Sequence, residues 1–300
     1  MTPTASGDTF TRSMPVVFVL IWSTGFIVAR YGMPYAPPMK FLALRYVLSI
    51  LCFLPWIMLA RVAWPKTRAQ WLHLAVTGIL MNGGYLGGVW AAVKAGMGSG
   101  LSSLIVGLQP VLTAIWLSGT GGHVTRRQWA GLTLGFAGLA LVVSRKLGQG
   151  GEADWVNLSL ATMALFSITA GTLYQKRFVA PCDVRSANAV LLAAAFLVTL
   201  PFALLEHETM HWNAELAGAM AWSVLVLTLG GSSLLYLLIQ RGAVASVTSL
   251  MYLVPPATAL MAWPLFAEPI TPATLSGIAM TAVGVSLVVR QGRTSAAAKV

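Results

Sequence analysis

The chain has 300 residues, 57% of them hydrophobic and only 9% charged, with a formal net charge of +11 and a mean hydropathy of +0.77. A soluble domain carries about 25% charged residues, so an ordinary globule, a disordered chain, a disulfide scaffold and a nucleic-acid-binding module are poor readings. The composition is that of an integral membrane protein whose basic surplus lies in loops.

Apolar runs long enough to cross a hydrocarbon core of about 30 Å fall, in chain order, at Met14–Ala29, Phe41–Ala60, Trp71–Ala92, Ser99–Ser118, Gln128–Ser144, Trp155–Tyr174, Ala187–Leu205, Leu216–Ile239, Ser246–Phe266 and Pro272–Val289. The first has no small-x-small cleavage site and reads as a retained span. The runs are continuously apolar with no alternation of period two, which excludes a β-barrel. The predicted fold is therefore an all-α integral membrane protein of ten transmembrane helices. Short connections leave no room for a soluble domain.

Thirteen Lys and Arg residues lie at the termini and in the loops after spans 2, 4, 6 and 8, against five on the opposite side (Arg30, Lys40, Lys94, Arg145, Lys146). Positive residues favour the cytoplasmic side, so both termini are expected there. Arg45, one turn into span 2, is the one charge inside a span; it is expected to snorkel to the outer interface or else to contact a carboxylate.

An offset of 146 residues superimposes the two halves of the sequence. Pro201 falls on Pro55, Gly242 on Gly96, Pro256 on Pro110, Thr271 on Thr125, Gly277 on Gly131 and Gly284 on Gly138. Residues 14–144 and 155–290 thus read as two copies of one unit. Each copy has five spans, an odd number, so the second enters the membrane inverted. That is the architecture of carriers that alternate access about a midplane site.

Pro110 in span 4 and Pro255–Pro256 in span 9 hold corresponding positions, where a missing N–H frees a carbonyl and permits a kink or hinge. Spans 3 and 8 carry Asn82-Gly83-Gly84-Tyr85 and Gly230-Gly231-Ser232-Ser233. The glycines, including Gly83-xxx-Gly87 and Gly84-xxx-Gly88, suit close helix packing; Asn82 and Tyr85 need polar partners at that depth. Trp90, Trp116, Trp155, Tyr174 and Trp263 sit near span ends and read as interfacial belt residues. Trp22, Tyr85 and Tyr252 lie deeper and suit an apolar or aromatic ligand. Hydroxyls for it come from Ser103, Ser167, Ser232 and Thr248, although such groups also bond their own backbone. The candidate substrate site is thus Trp22, Asn82, Tyr85, Ser103, Ser167, Ser232, Thr248 and Tyr252.

No Asp or Glu lies inside a predicted span, which favours an uncoupled neutral solute over proton- or sodium-coupled transport. Paired Lys or Arg for a sugar phosphate is missing too. Cys52 and Cys182 read as free thiols, and His207 and His211, four apart, as a solvated loop face rather than a metal site. Enzyme signatures are lacking, and no cofactor is expected.

Ten spans in two repeats, Trp22-Ser23 early in span 1, Arg45 entering span 2 and the run Glu268-x-x-Thr271-x5-Gly277-x6-Gly284 resemble the EamA-type members of the drug/metabolite transporter superfamily. The first repeat departs at Gly122 and His123, where that family often has Glu. The chain is most similar to the YddG aromatic amino-acid exporters of bacterial inner membranes. This resemblance implies a basket with spans 1, 3, 4, 6, 8 and 9 around a central cavity and spans 5 and 10 peripheral. It also implies export of phenylalanine, tyrosine, tryptophan or related metabolites. The expected partners are a small-molecule substrate and the lipid bilayer, with no nucleic acid. A monomer is compatible with the sequence, which does not set the oligomeric state. A channel-like membrane subunit and an ion-coupled metabolite or drug exporter are the competing readings.

Overall fold

The computed structural model describes residues 6–119, 125–146, 153–231, 234, 253–268 and 270–297. The helices are α1 (Ser6–Gly32), α2 (Pro38–Leu59), α3 (Arg68–Gly78), α4 (Gly87–Lys94), α5 (Ser99–Val106), α6 (Gln109–Gly119), α7 (Arg126–Lys146), α8 (Trp155–Phe178), α9 (Val184–Leu205), α10 (Ala214–Trp222), α11 (Val254–Phe266) and α12 (Pro272–Ala297). Two π-helical segments, π1 (Ile79–Leu86) between α3 and α4 and π2 (Ser223–Gly231) after α10, make continuous rods with their neighbours. Among the described residues, five helices or rods are long and apolar enough to cross a membrane: Pro38–Leu59, Arg68–Lys94, Trp155–Phe178, Val184–Leu205 and Ala214–Gly231. The fold is all-α and membrane-integral. Exposed side chains such as Leu59, Trp155 and Leu204 present an apolar outer face that suits lipid and not water.

Local chemistry sets the helix starts. Pro38 enters α2 at its first turn, where no N–H is needed. The Thr67 side chain accepts from Gln70 N at the head of α3. Asp154 and Asn157 form a reciprocal capping box on α8. Asp183 and Asn213 cap α9 and α10. The helix that carries span 1 starts at Ser6, ahead of the apolar run from Met14. Span 4 is interrupted between Val106 and Gln109.

Three pairs of helices run antiparallel. Next to α2 lies α9, with Arg185 over the Trp56 ring at one end and Glu206 against the Met39 and Lys40 amides at the other. In the same way α5 lies on α11, Ser99 meeting Glu268 and Gly107 meeting Pro255. The third pair, α7 and α12, packs backbone to backbone. A Cβ on Gly138 would stand 2.6 Å from Gly277 O, and one on Gly284 would stand 2.5 Å from Gly131 O. Between these crossings Thr281 Oγ1 donates to Gly135 O at 3.4 Å. The α3–π1–α4 rod packs on α8, and α1 packs on α10–π2.

The expected glycine faces are only partly used. Gly84 and Gly88 face α8 at Ser167 and at Leu160–Ala164, and Gly78 faces the Leu191 backbone. Gly83 has nothing within 4 Å of a would-be Cβ, so it opens onto space and does not form a helix seam with Gly87, which meets Met39. Trp90 is no belt residue. It is 1% exposed and stacked on Phe41 at 4.5 Å, because α2 covers that end of the rod.

Candidate functional site

In a π turn the N–H reaches five residues back, so the return to α bonding leaves one carbonyl out of the ladder. At the end of π1 the Gly87 N–H returns to Gly83 O. Tyr46 Oη, from fully buried Tyr46 on α2, donates to Asn82 O at 2.7 Å. In π2 the Thr228 hydroxyl donates to Ser223 O, five residues earlier, at 2.9 Å. The same hydroxyl accepts from Arg45 Nε and Nη2, both at 3.2 Å.

Arg45 therefore does not snorkel. It is 6% exposed and points from α2 into π2. Nor does it contact a carboxylate: among the described residues its hydrogen-bond partner is a neutral hydroxyl. Glu206 caps α2, Glu208 pairs with Lys94 at 2.6 Å, Glu268 caps α5 through Ser99 N and Gly100 N, and Asp183 pairs with Arg185. The Tyr46 and Tyr85 side chains lie within electrostatic reach of the guanidinium, and the Tyr85 hydroxyl is met by Trp22. The Asn82 side chain is half-buried beside Gly83.

Trp22 leads from this polar cluster to a small cavity, which it lines with Phe26, Ser103, Val106, Gly107, Gln109, Pro110 and Val254. The interruption of span 4 makes the cavity. Pro110 stands at the second position of α6, where its missing N–H costs nothing, while a Cβ on Gly107 would press on Pro255 at 2.9 Å. Pro255 and Pro256 lie in the first turn of α11. All three prolines thus open helical segments and do not bend the interior of one. Gln109, adjacent to the break, donates through Nε2 to Thr172 Oγ1 at 2.9 Å, tying α6 to α8. Sequence reasoning passed it over, although an amide beside a helix-breaking proline was the available signal.

Of the expected site residues, Trp22, Ser103 and Pro110 share this cavity, and Tyr85 joins it through Trp22. Ser103 is buried and bonds Gly100 O at 2.9 Å, so it presents its hydroxyl to its own helix. Ser23, Thr24 and Thr169 do likewise. Ser167 packs on Gly84 at the α8 seam. Ser232, Thr248 and Tyr252 lie outside the described residues. His207 and His211 lie on a non-helical connection, so their four-residue spacing does not align them on a helix face. Among the described residues no three His, Cys, Asp or Glu side chains gather as a metal site, and Cys52 and Cys182 form no disulfide.

The chain is 25% identical over 299 residues to the uncharacterized transporter YvbV of Bacillus subtilis, covering 97% of this chain and 95% of that one. It is 25% identical to the uncharacterized inner membrane transporter YedA of Escherichia coli, over 89% of this chain and 84% of the relative. A probable amino-acid metabolite efflux pump of Salmonella typhimurium is 25% identical over 64% of this chain and 62% of its own length. A solved crystal structure shares the fold with a TM-score of 0.68, covering 95% of this chain and 98% of that one, at 20% identity. The profile of the EamA-like transporter family matches residues 13–144 and 155–290, and on that match, across an all-α membrane fold with a polar cluster at its centre, the chain belongs to the EamA-like transporter family.

Proposed function

We propose that the protein exports amino acids, aromatic and other neutral ones, and related metabolites across a bacterial inner membrane by alternating access, as an uncoupled uniporter with both termini cytoplasmic. One observation carries the alternating-access reading: the interruption of span 4 meets the first turn of α11, Gly107 against Pro255, at the cavity lined by Trp22, Ser103, Gln109 and Pro110. A span broken beside a cavity can bend there without stripping interior hydrogen bonds.

Support for two inverted repeats of five helices comes from reciprocity. In a two-fold arrangement residue i meets j and the equivalent of j meets the equivalent of i. Under the 146-residue offset Gly131 corresponds to Gly277 and Gly138 to Gly284; Gly131 meets Gly284, and Gly138 meets Gly277. Thr281 bonds the carbonyl of Gly135, its own counterpart. The pairs α2–α9, α5–α11 and α7–α12 each join corresponding spans antiparallel, as inversion requires. The amino-acid substrate rests on the resemblance and on the printed description of the Salmonella relative, and an aromatic solute suits Trp22.

The test is uptake of radiolabelled phenylalanine, threonine and glutamate into proteoliposomes with and without a proton or sodium gradient. Saturable phenylalanine flux with counterflow, indifferent to both gradients, is the expected result. Gradient-dependent flux would overturn the uncoupled mechanism, and flux linear in concentration would indicate a pore.

A further inference from the structure

We infer that Arg45 receives the carboxylate of the transported solute, so that this site selects molecules with a free anionic end. The inference rests on the carrier reading and adds to it the chemical class of the ligand.

A guanidinium taken out of water requires compensating hydrogen bonds and a counter-charge. Arg45 has five N–H donors, yet Nε and Nη2 share one neutral oxygen, Thr228 Oγ1, each at a long 3.2 Å, and Nη1 has no partner among the described residues. Among the described residues neither neighbouring phenol bonds the guanidinium: Tyr46 donates to Asn82 O, and Tyr85 lies beside Trp22. The same two elements carry further enclosed hydroxyls without partners: Ser49 Oγ, one turn along α2 from Arg45, and Ser223 Oγ at the start of π2. The planar fork of an arginine matches the two oxygens of a carboxylate. A carboxylate entering past Trp22 and Tyr85 would supply the missing charge and take over the donors now spread on Thr228.

The arrangement also links recognition to movement. Arg45 belongs to the first half of the chain and Thr228 to the second, so a solute that displaces the Thr228 hydroxyl exchanges a contact between the halves for a contact to ligand. The site is one-sided. At the position corresponding to Arg45 the second half has Leu191, packed against Gly78, so one anionic group is matched and not two. A monocarboxylate fits this arrangement, and a diphosphate does not.

The experiment uses the full-length protein in proteoliposomes with four probes: phenylalanine, phenylalaninamide, phenethylamine and 3-phenylpropionate. Wild type is expected to take phenylalanine about tenfold or more faster than the amide or the amine, since a site built to pair a polar group rejects analogues that lack it. Arg45→Gln should lose that preference, and Thr228→Val should keep it. Arg45→Lys, which retains charge but not the fork, should keep the preference with a raised KM; it serves where Arg45→Gln does not yield folded protein. Equal uptake of phenylalanine and its amide by wild type, a preference surviving in Arg45→Gln, or flux of neither carboxylate would each overturn the inference. Uptake of 3-phenylpropionate without phenylalanine would instead overturn the amino-acid reading and leave the carboxylate assignment standing.

Discussion

The α7–α12 crossing gives the sharpest structural prediction, because two backbones touch there. In Gly284→Ala the added Cβ would stand 2.5 Å from Gly131 O, 2.6 Å from Gly135 N and 3.0 Å from Gly135 Cα, all backbone atoms that no rotamer change can move aside. Ordinary contact begins near 3.4 Å, so the helices must separate by about 0.9 Å. A radial gap of that size forfeits roughly a quarter to a half of the dispersion energy along the seam, and overpacking of this kind costs about 1–3 kcal/mol. The Thr281 to Gly135 O bond, already 3.4 Å long, would be lost as well. In detergent the midpoint of thermal unfolding should fall by roughly 2–10 °C. Gly218→Ala, on α10 with nothing within 4 Å of its Cβ, is the matched control; it should hold or raise the midpoint through better helix propensity, by up to about 1 kcal/mol. Neither helix lines the cavity of Trp22 and Ser103, so Gly284→Ala should still transport at low temperature. A Gly284→Ala midpoint equal to that of Gly218→Ala would refute the close-packed crossing.

Two further substitutions test the polar framework. Tyr46→Phe leaves the Asn82 carbonyl without its 2.7 Å donor; an orphaned buried acceptor costs about 1–3 kcal/mol, and hydrogen exchange measured by mass spectrometry should quicken over π1 and α4, an unchanged profile counting against the assigned bond. Asp183 caps α9 and pairs with Arg185, whose side-chain hydrogen bond holds the carboxyl below its ordinary value of 3.8. A depressed folded pKa means the stabilisation is complete above about pH 4 and disappears as pH falls through the folded value. Asp183→Ala should therefore lower stability at pH 7 by about 0.5–2 kcal/mol and lose less on acidification than wild type, whereas parallel acid limbs would contradict the assignment.

The features legible in the sequence are those that one helix can express alone. Runs of apolar residues locate the spans, and the 146-residue offset matches the glycines of spans 5 and 10, but that these glycines face one another, with a Cβ on Gly284 standing 2.5 Å from Gly131 O, was not read from the pattern. What escaped depends on partners far away in the chain. Thr228, which turns Arg45 inward, is 183 residues distant, and periodicity cannot say whether a guanidinium one turn inside a span points up or in. The π turns are invisible for a different reason: changing the hydrogen bond from four residues to five leaves an apolar run apolar. Trp90 was misread because its position near a span end says nothing of Phe41 stacked over it. The cavity was half legible. Trp22, Ser103 and Pro110 lie together as expected, yet hydroxyls such as Ser103 turned to their own helix, an option that every serine in a helix keeps open.

The correspondences between halves, and their failures, divide scaffold from site. Glycines at the α7–α12 crossing match in both copies, and so do Pro55 and Pro201, each inside its helix. At the polar centre the copies differ: Arg45 stands against Leu191 and Asn82 against Thr228 under the same offset. A symmetric frame lets two halves exchange roles in opening to either side. A ligand with one carboxylate has no such symmetry, and two guanidiniums at the centre would leave one unpaired in every state, at the cost of an uncompensated buried charge. On the proposed carboxylate reading the divergence falls where a single asymmetric molecule would be held, which accounts for a crossing that is strict in its repeat beside a centre that is not.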